Sequence, residues 1–143
     1  MDDTPLTDAE EEMIDRIQTV RTLWECFESR NWAAARGLFA HDATLTWHAS
    51  GERMLDADAI VRVQRIYPEG WHLAVLEVNG LTDGRVHSIV AVDHPPNRFL
   101  ANSLFRFDGT TIVGVDEYWG TVEAPPEWRN AQAIGAYERF DPL

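Results

Sequence analysis

A single carboxylate, Glu117, stands where its neighbours could give it chemistry. It lies in the stretch Phe105 to Trp119, FRFDGTTIVGVDEYW, which reads as two strands joined at Asp108-Gly109, a strong hairpin signal. Side chains alternate along a strand, so Val113, Val115, Glu117 and Trp119 are expected on one face. Ile112, Gly114, Asp116 and Tyr118 are expected on the other. A glutamate buried between Val115 and Trp119 loses hydration, which disfavours its charged form and raises its pKa. An acid tuned in this way can exchange protons near neutral pH. The same residues allow a plainer reading, in which Glu117 points to solvent or pairs with an arginine such as Arg129.

Other chemistries have weaker support. His41, His48, His72, His87 and His94 show no H-x-x-x-H or H-x-H spacing, and no cysteine joins them, so no metal site is expected. Cys26 is alone, which rules out an internal disulfide, and it sits in a helical pattern as a structural thiol. There is no G-x-S-x-G elbow and no glycine-rich phosphate loop, and no cofactor is expected. Asp116 and Glu117 are adjacent on a strand and face opposite ways, so they cannot act as a paired acid and base across one cleft. Whether Glu77 faces inward is left open, because the register of its strand near Trp71–Val78 is not fixed.

The elements that must position Glu117 follow from periodicity. Thr7-Asp8-Ala9-Glu10 is a capping box that opens a helix running to about Ser29. Its apolar stripe is Met13, Ile17, Val20, Trp24 and Phe27, widened by Ile14 and Leu23. Asn31 caps a shorter helix with Trp32, Ala35, Leu38 and Phe39 as apolar positions. Ala43 to His48 alternates as a strand, with Leu45 and Trp47 on one face. After a turn at Ser50-Gly51, Asp56 or Asp58 caps a third helix carrying Ile60, Val63 and Ile66-Tyr67, which Pro68 stops. Strands are then expected at 71–78, 85–93, 98–107 and 110–119, joined by turn-forming residues into an antiparallel meander. In the tail a short helix is expected near Ala131–Tyr137. Trp128 is expected to anchor the tail on the domain, over the pocket rim or over a helix stripe, with Arg129 seeking a carboxylate.

The expected fold class is α+β, with three N-terminal helices packed on a strongly curved mixed or antiparallel sheet. Such a cone leaves an internal pocket at its mouth. The 143 residues form one domain (1–143), with a core at about 8–122 and a C-terminal extension at 123–143. A net charge of −12 argues against nucleic acid and against anionic membrane surfaces as partners. The acids Asp2, Asp3, Asp8, Glu10, Glu11, Glu12 and Asp15 read as the solvated start of the first helix. No signal peptide and no apolar run of about 20 residues is visible, so a cytoplasmic protein is expected.

The order of a long helix, then NWAAARGLFAHDATLTW, a capped third helix and a meander closing in RFDGTTIVGVDEYW, resembles the nuclear transport factor 2-like superfamily. The resemblance is to its SnoaL-like and ketosteroid isomerase-like branch and spans roughly Ile14 to Trp119. It implies a cystatin-like cone whose pocket is lined by Trp47, Ser103, Val115, Glu117 and Trp119. The positions of the isomerase branch's base and two hydroxyl or carboxyl donors fall here at Trp47, Leu23 and Ser103, so ketosteroid isomerisation by that constellation is not expected. The candidate catalytic residues are therefore Glu117 and Ser103. The candidate ligand-binding residues are Leu23, Trp24, Phe27, Trp47, Val115 and Trp119. The implied function is binding of a small apolar or amphipathic molecule, with isomerase, dehydratase or cyclase chemistry through Glu117. The alternative is a non-catalytic binding or dimerisation module. The resemblance also implies a homodimer, expected through the outer sheet face with Tyr118, Ile112, Ile89 and Ala91.

Overall fold

The computed structural model describes residues 3–142. Asp2 of the acidic run, and Met1 and Leu143 of the expected domain, lie outside the described residues. The chain runs α1 (Asp8–Glu28), α2 (Trp32–Arg36), β1 (Phe39–Trp47), β2 (Glu52–Met54), α3 (Ala57–Ile66), β3 (His72–Gly80), β4 (Val86–His94), β5 (Asn97–Asp108), β6 (Thr111–Thr121) and α4 (Ala131–Ile134). One six-stranded sheet has the order β2-β1-β6-β5-β4-β3. Strands β3 to β6 form the antiparallel meander, and β1 pairs parallel to β6, so the sheet is mixed. The architecture is α+β. Among the described residues no helix is long and apolar enough to cross a membrane.

Local chemistry explains the helix boundaries. Thr7 Oγ1 accepts the Glu10 amide at 3.1 Å, Asn31 Oδ1 accepts from Ala34 at 3.3 Å, and Asp56 Oδ1 accepts from Ala59 at 2.8 Å. Of the two candidate caps for α3, Asp56 is therefore the cap. Helix α1 buries Val20, Leu23, Trp24, Cys26 and Phe27 against β3 and β4, while Ile14 is half exposed and does not widen the stripe. Leu38 and Phe39 do not continue α2. Phe39 opens β1, because the α2 end at Gly37 lets the chain turn into parallel pairing, with Phe39 opposite Ile112.

Two irregularities in the sheet change which residues face the core. Arg106 pairs with Gly114 and Phe107 with Ile112, so Val113 is an extra residue, a bulge. Past that bulge Val115, Glu117 and Trp119 keep their shared face. Before it Ile112 swings into the core, with 0% exposure. Ile112 is therefore not on the outer sheet face, contrary to the strict alternation. Tyr118 is there, 47% exposed, stacked on His48 with ring centroids 4.7 Å apart. A second register shift between Val75 and Glu77 leaves Glu77 exposed, with its carboxylate accepting from Asn79.

The tail does not anchor through its aromatic residue. Trp128 is 73% exposed, and Arg129 lies over its ring instead of meeting a carboxylate. The short helix α4 is capped by Asn130.

The end of α1 fixes the wall that faces Glu117. Asn31 donates to the Cys26 carbonyl and Arg30 to that of Phe27, the paired closure that places the residue after the cap in the left-handed region. Glycine favours that conformation, yet Arg30 occupies it at φ 60°. Its side chain accounts for the choice. The guanidinium lies 3.4 Å from the Trp71 ring centroid and donates to the carbonyls of Phe27, Glu28 and Trp71 and to the Glu69 carboxylate. Trp71, 1% exposed, also stacks on Tyr67 at the end of α3. Arg30→Ala keeps the backbone strain and loses every one of these contacts. It is expected to lower unfolding stability by about 1–3 kcal/mol in urea titrations. Arg30→Gly relieves the strain and should stay about 1 kcal/mol more stable than Arg30→Ala. Equal stability of wild type and Arg30→Ala would show that the stack holds nothing.

Candidate functional site

Register places the site. Trp47 on β1 is opposite Glu117 on β6, Glu117 is opposite Ser103 on β5, and Ser103 is opposite Ser88 on β4. Residues directly opposite one another share a sheet face, so these four polar-capable side chains form one inward row across four strands. Trp119, two residues beyond Glu117, joins them on the same face.

Glu117 is 4% exposed, and its carboxylate is held by three neutral donors. Trp47 Nε1 donates to Oε1 at 3.1 Å, Trp119 Nε1 donates to the same oxygen at 2.6 Å, and Ser103 Oγ donates to Oε2 at 2.7 Å. Arg129 is not among its partners. Burial pushes the Glu117 pKa above the ordinary carboxylate value, and the hydrogen bonds from Ser103, Trp119 and Trp47 oppose that rise without cancelling it. Ser103, itself fully buried, can serve both charge states. Its hydroxyl donates to the ionised acid and can accept from the protonated one, whereas an indole N–H can only donate.

Glu117 borders two spaces. The larger is a cavity of about 570 Å³, walled by Trp47, Val63, Ile66, Tyr67, Pro68 and Trp119, with Ala49, Ser50, Gln64 and Glu117 completing it. That volume lies within the usual ~300–1,000 Å³ of small-molecule pockets, and apolar walls with few polar groups are their usual character. The smaller space, of about 10 Å³, lies behind it among Leu23, Trp24, Phe27, Phe39, Phe105 and Val115, with Gln64 and Glu117 on its border. The structure thus brings Trp47, Trp119 and Glu117 together on the open cavity. Leu23, Trp24, Phe27 and Val115 form packed floor with no room for a guest. Trp24 spends its indole N–H on Ser88 Oγ at 3.1 Å.

The remaining polar groups of the cavity sort by engagement. The Tyr67 hydroxyl is 2.9 Å from His94 Nδ1, and His94 Nε2 is 3.2 Å from the Glu69 carbonyl. A carbonyl only accepts, so Nε2 carries the hydrogen, and in the ring protonated there alone Nδ1 accepts from Tyr67. Burial pushes the Tyr67 phenol up from its ordinary value. Gln64 was not singled out from sequence. The available signal was its place four residues after Ile60, on the stripe through Ala57 and Ile60 that α3 buries. Ser88 was missed because the pairing of β4 with β5 sets its facing. Among the described residues, no group of three or more His, Cys, Asp or Glu side chains could hold a metal ion. Cys26 is buried, which raises its thiol pKa, with Glu25 adding to the effect.

No protein-family model matches the chain, and no curated protein matches it in sequence. Solved structures do match in shape. A provisionally assigned ketosteroid isomerase from Kribbella flavida aligns at TM-score 0.77 and 19% identity, over 90% of this chain and 91% of that one. An NTF2-like protein of unknown function from Burkholderia xenovorans aligns at TM-score 0.72 and 16% identity, over 92% of this chain and 100% of that one. A protein of ketosteroid isomerase-like fold from Catenulispora acidiphila, solved with trimethylamine, aligns at TM-score 0.57 and 19% identity, over 70% of this chain and 83% of that one. The six-stranded mixed sheet closed over three helices is therefore the nuclear transport factor 2-like fold in its ketosteroid isomerase-like form.

Proposed function

We propose that the cavity binds a small, largely apolar molecule carrying a carbonyl or hydroxyl group, and that Glu117 moves a proton on it. The observation that carries this reading is a buried carboxyl group on the wall of a ~570 Å³ apolar cavity, bonded only to neutral donors. A buried acid paired with an arginine is held ionised and has little proton affinity. Glu117 has no cation among its hydrogen-bond partners, so both its states are within reach. As a base, its carboxylate takes a proton from carbon next to the carbonyl, and returning that proton to a different atom is an isomerisation. Ser103 and the two indoles hold the carboxyl group in place throughout. Fold likeness to isomerases is consistent with this chemistry but does not select a substrate.

A second reading is favoured by the same carboxylate seen from the cavity: an anion ringed by Trp47, Trp119 and Tyr67 suits a protonated amine, through charge and through ring faces. The Catenulispora protein of similar fold was solved with trimethylamine. In that case the chain is a receptor without catalysis.

Proton transfer can be read without knowing the natural substrate. In deuterated buffer the wild type is expected to exchange the methyl hydrogens of 4-fluoroacetophenone for deuterium. Glu117→Gln should slow this by about 10²–10⁴, the usual worth of a positioned acid–base group. Exchange equal in both proteins rules out the acid–base role. Because the active base is ionised, the wild-type rate should rise with pH through an inflection above the ordinary carboxylate range.

The same shift makes a stability prediction of definite sign. The folded pKa of Glu117 is raised above its unfolded value, so between the two the native state binds more protons. The stability linked to this group is full below the unfolded pKa and is lost as pH rises through the folded one. The difference in unfolding free energy between wild type and Glu117→Gln is therefore expected to fall with rising pH over that window. A difference that grows with pH contradicts the raised pKa.

A further inference from the structure

We infer that Gln64 is a specificity-determining residue of this cavity: its side-chain amide donates a hydrogen bond to the carbonyl oxygen of the ligand whose adjacent carbon faces Glu117. This rests on the cavity reading above and adds to it a residue and a ligand class.

Four observations converge on Gln64. First, it and Glu117 alone border both the open cavity and the packed space behind it, so both stand at the throat between the two. Second, Gln64 lies on the α3 stripe that buries Ala57 and Ile60, where an apolar residue would pack better. Third, among the described residues its carboxamide has no hydrogen-bond partner, although it is only partly exposed. Fourth, the competing donors are spent except for the Ser50 hydroxyl, which sits on an exposed turn. Both indole N–H groups and the Ser103 hydroxyl point at Glu117, and the Tyr67 hydroxyl at His94. A half-buried amide with free donor and acceptor, on an otherwise apolar wall, leaves its hydrogen bonds to a guest.

The chemistry of the guest follows. Glu117 offers a base, or an acid when protonated, and Gln64 offers a neutral N–H donor. A carbonyl compound uses both. The amide N–H stabilises negative charge that develops on oxygen as the carboxylate removes a proton from the neighbouring carbon. A protonated amine would use Glu117 and could meet Gln64 only through its Oε1 acceptor, leaving the amide N–H without a partner. A hydrocarbon would use neither.

Three probes of one skeleton separate these cases: 4-fluoroacetophenone, 1-ethyl-4-fluorobenzene and 1-(4-fluorophenyl)ethylamine. Each is titrated by fluorine NMR into wild type and Gln64→Met, a substitution that keeps length and removes the amide. Wild type is expected to prefer the ketone over the hydrocarbon by between about twofold and tenfold, the net worth of one hydrogen bond. Gln64→Met should erase that preference while still binding the hydrocarbon at least as well as wild type, which also shows that the cavity is intact. If the ketone preference survives in Gln64→Met, the role of Gln64 is overturned while the cavity reading stands. If the amine binds best and Gln64→Met leaves that order unchanged, the carbonyl class is overturned. If no probe binds wild type, the cavity reading fails together with this one.

Discussion

The desolvation of one carboxyl group governs the rest of this structure. Taking a glutamate out of water is costly unless its oxygens find donors. Here the sheet register supplies them: Trp47 from one neighbouring strand, Ser103 from the other, and Trp119 from the same strand. Three neutral donors make burial tolerable yet leave the pKa raised, because none brings a positive charge. An arginine in place of any of them would fix the group as an anion and end its usefulness as a proton carrier. A valine in place of Ser103 would leave Oε2 without a partner. The site is therefore a balance between burial and neutral hydrogen bonding.

The fold provides that balance through a few particular contacts. Parallel pairing of β1 with β6 is what puts Trp47 beside Glu117, and the bulge at Val113 allows the lower half of β6 to bury Ile112 while the upper half presents Val115, Glu117 and Trp119. On the opposite wall, Tyr67 is held by stacking on Trp71 and by its bond to His94, and Trp71 is in turn covered by the Arg30 guanidinium. The floor, with Leu23, Trp24, Phe27 and Phe105, is close-packed, so the open volume is confined to the mouth of the cone. A cavity between a rigid floor and stacked aromatic walls is largely preformed, which lowers the ordering cost of binding.

Much of this was legible in the sequence because it rests on local signals. Thr7, Asn31 and the pair Asp56 and Asp58 announced three helices, Asp108-Gly109 announced the last hairpin, and alternation placed Glu117 with Val115 and Trp119. What could not be read depends on strand register and on packing. Strict alternation sent Ile112 outward, since a bulge at Val113 leaves no mark in a run of β-branched residues. The stripe of α1 correctly named Leu23, Trp24 and Phe27 as inward, but inward residues can be floor or wall, and only packing separates the two. Leu38 and Phe39 looked helical because their spacing fits 3.6 residues per turn over too short a window. Gln64 escaped notice because a lone glutamine in a short helix is ordinarily a solvated side chain.

The central claim concerns the charge state of one buried group, and it is most directly tested by watching that group titrate. With isotope-labelled glutamate side chains, the carboxyl carbon resonance of Glu117 can be assigned by its disappearance in Glu117→Gln and followed by NMR across pH. Its inflection is expected above that of the exposed glutamates. An inflection at or below theirs would mean that the carboxylate is stably ionised in its buried setting, and the proton-transfer role would not survive.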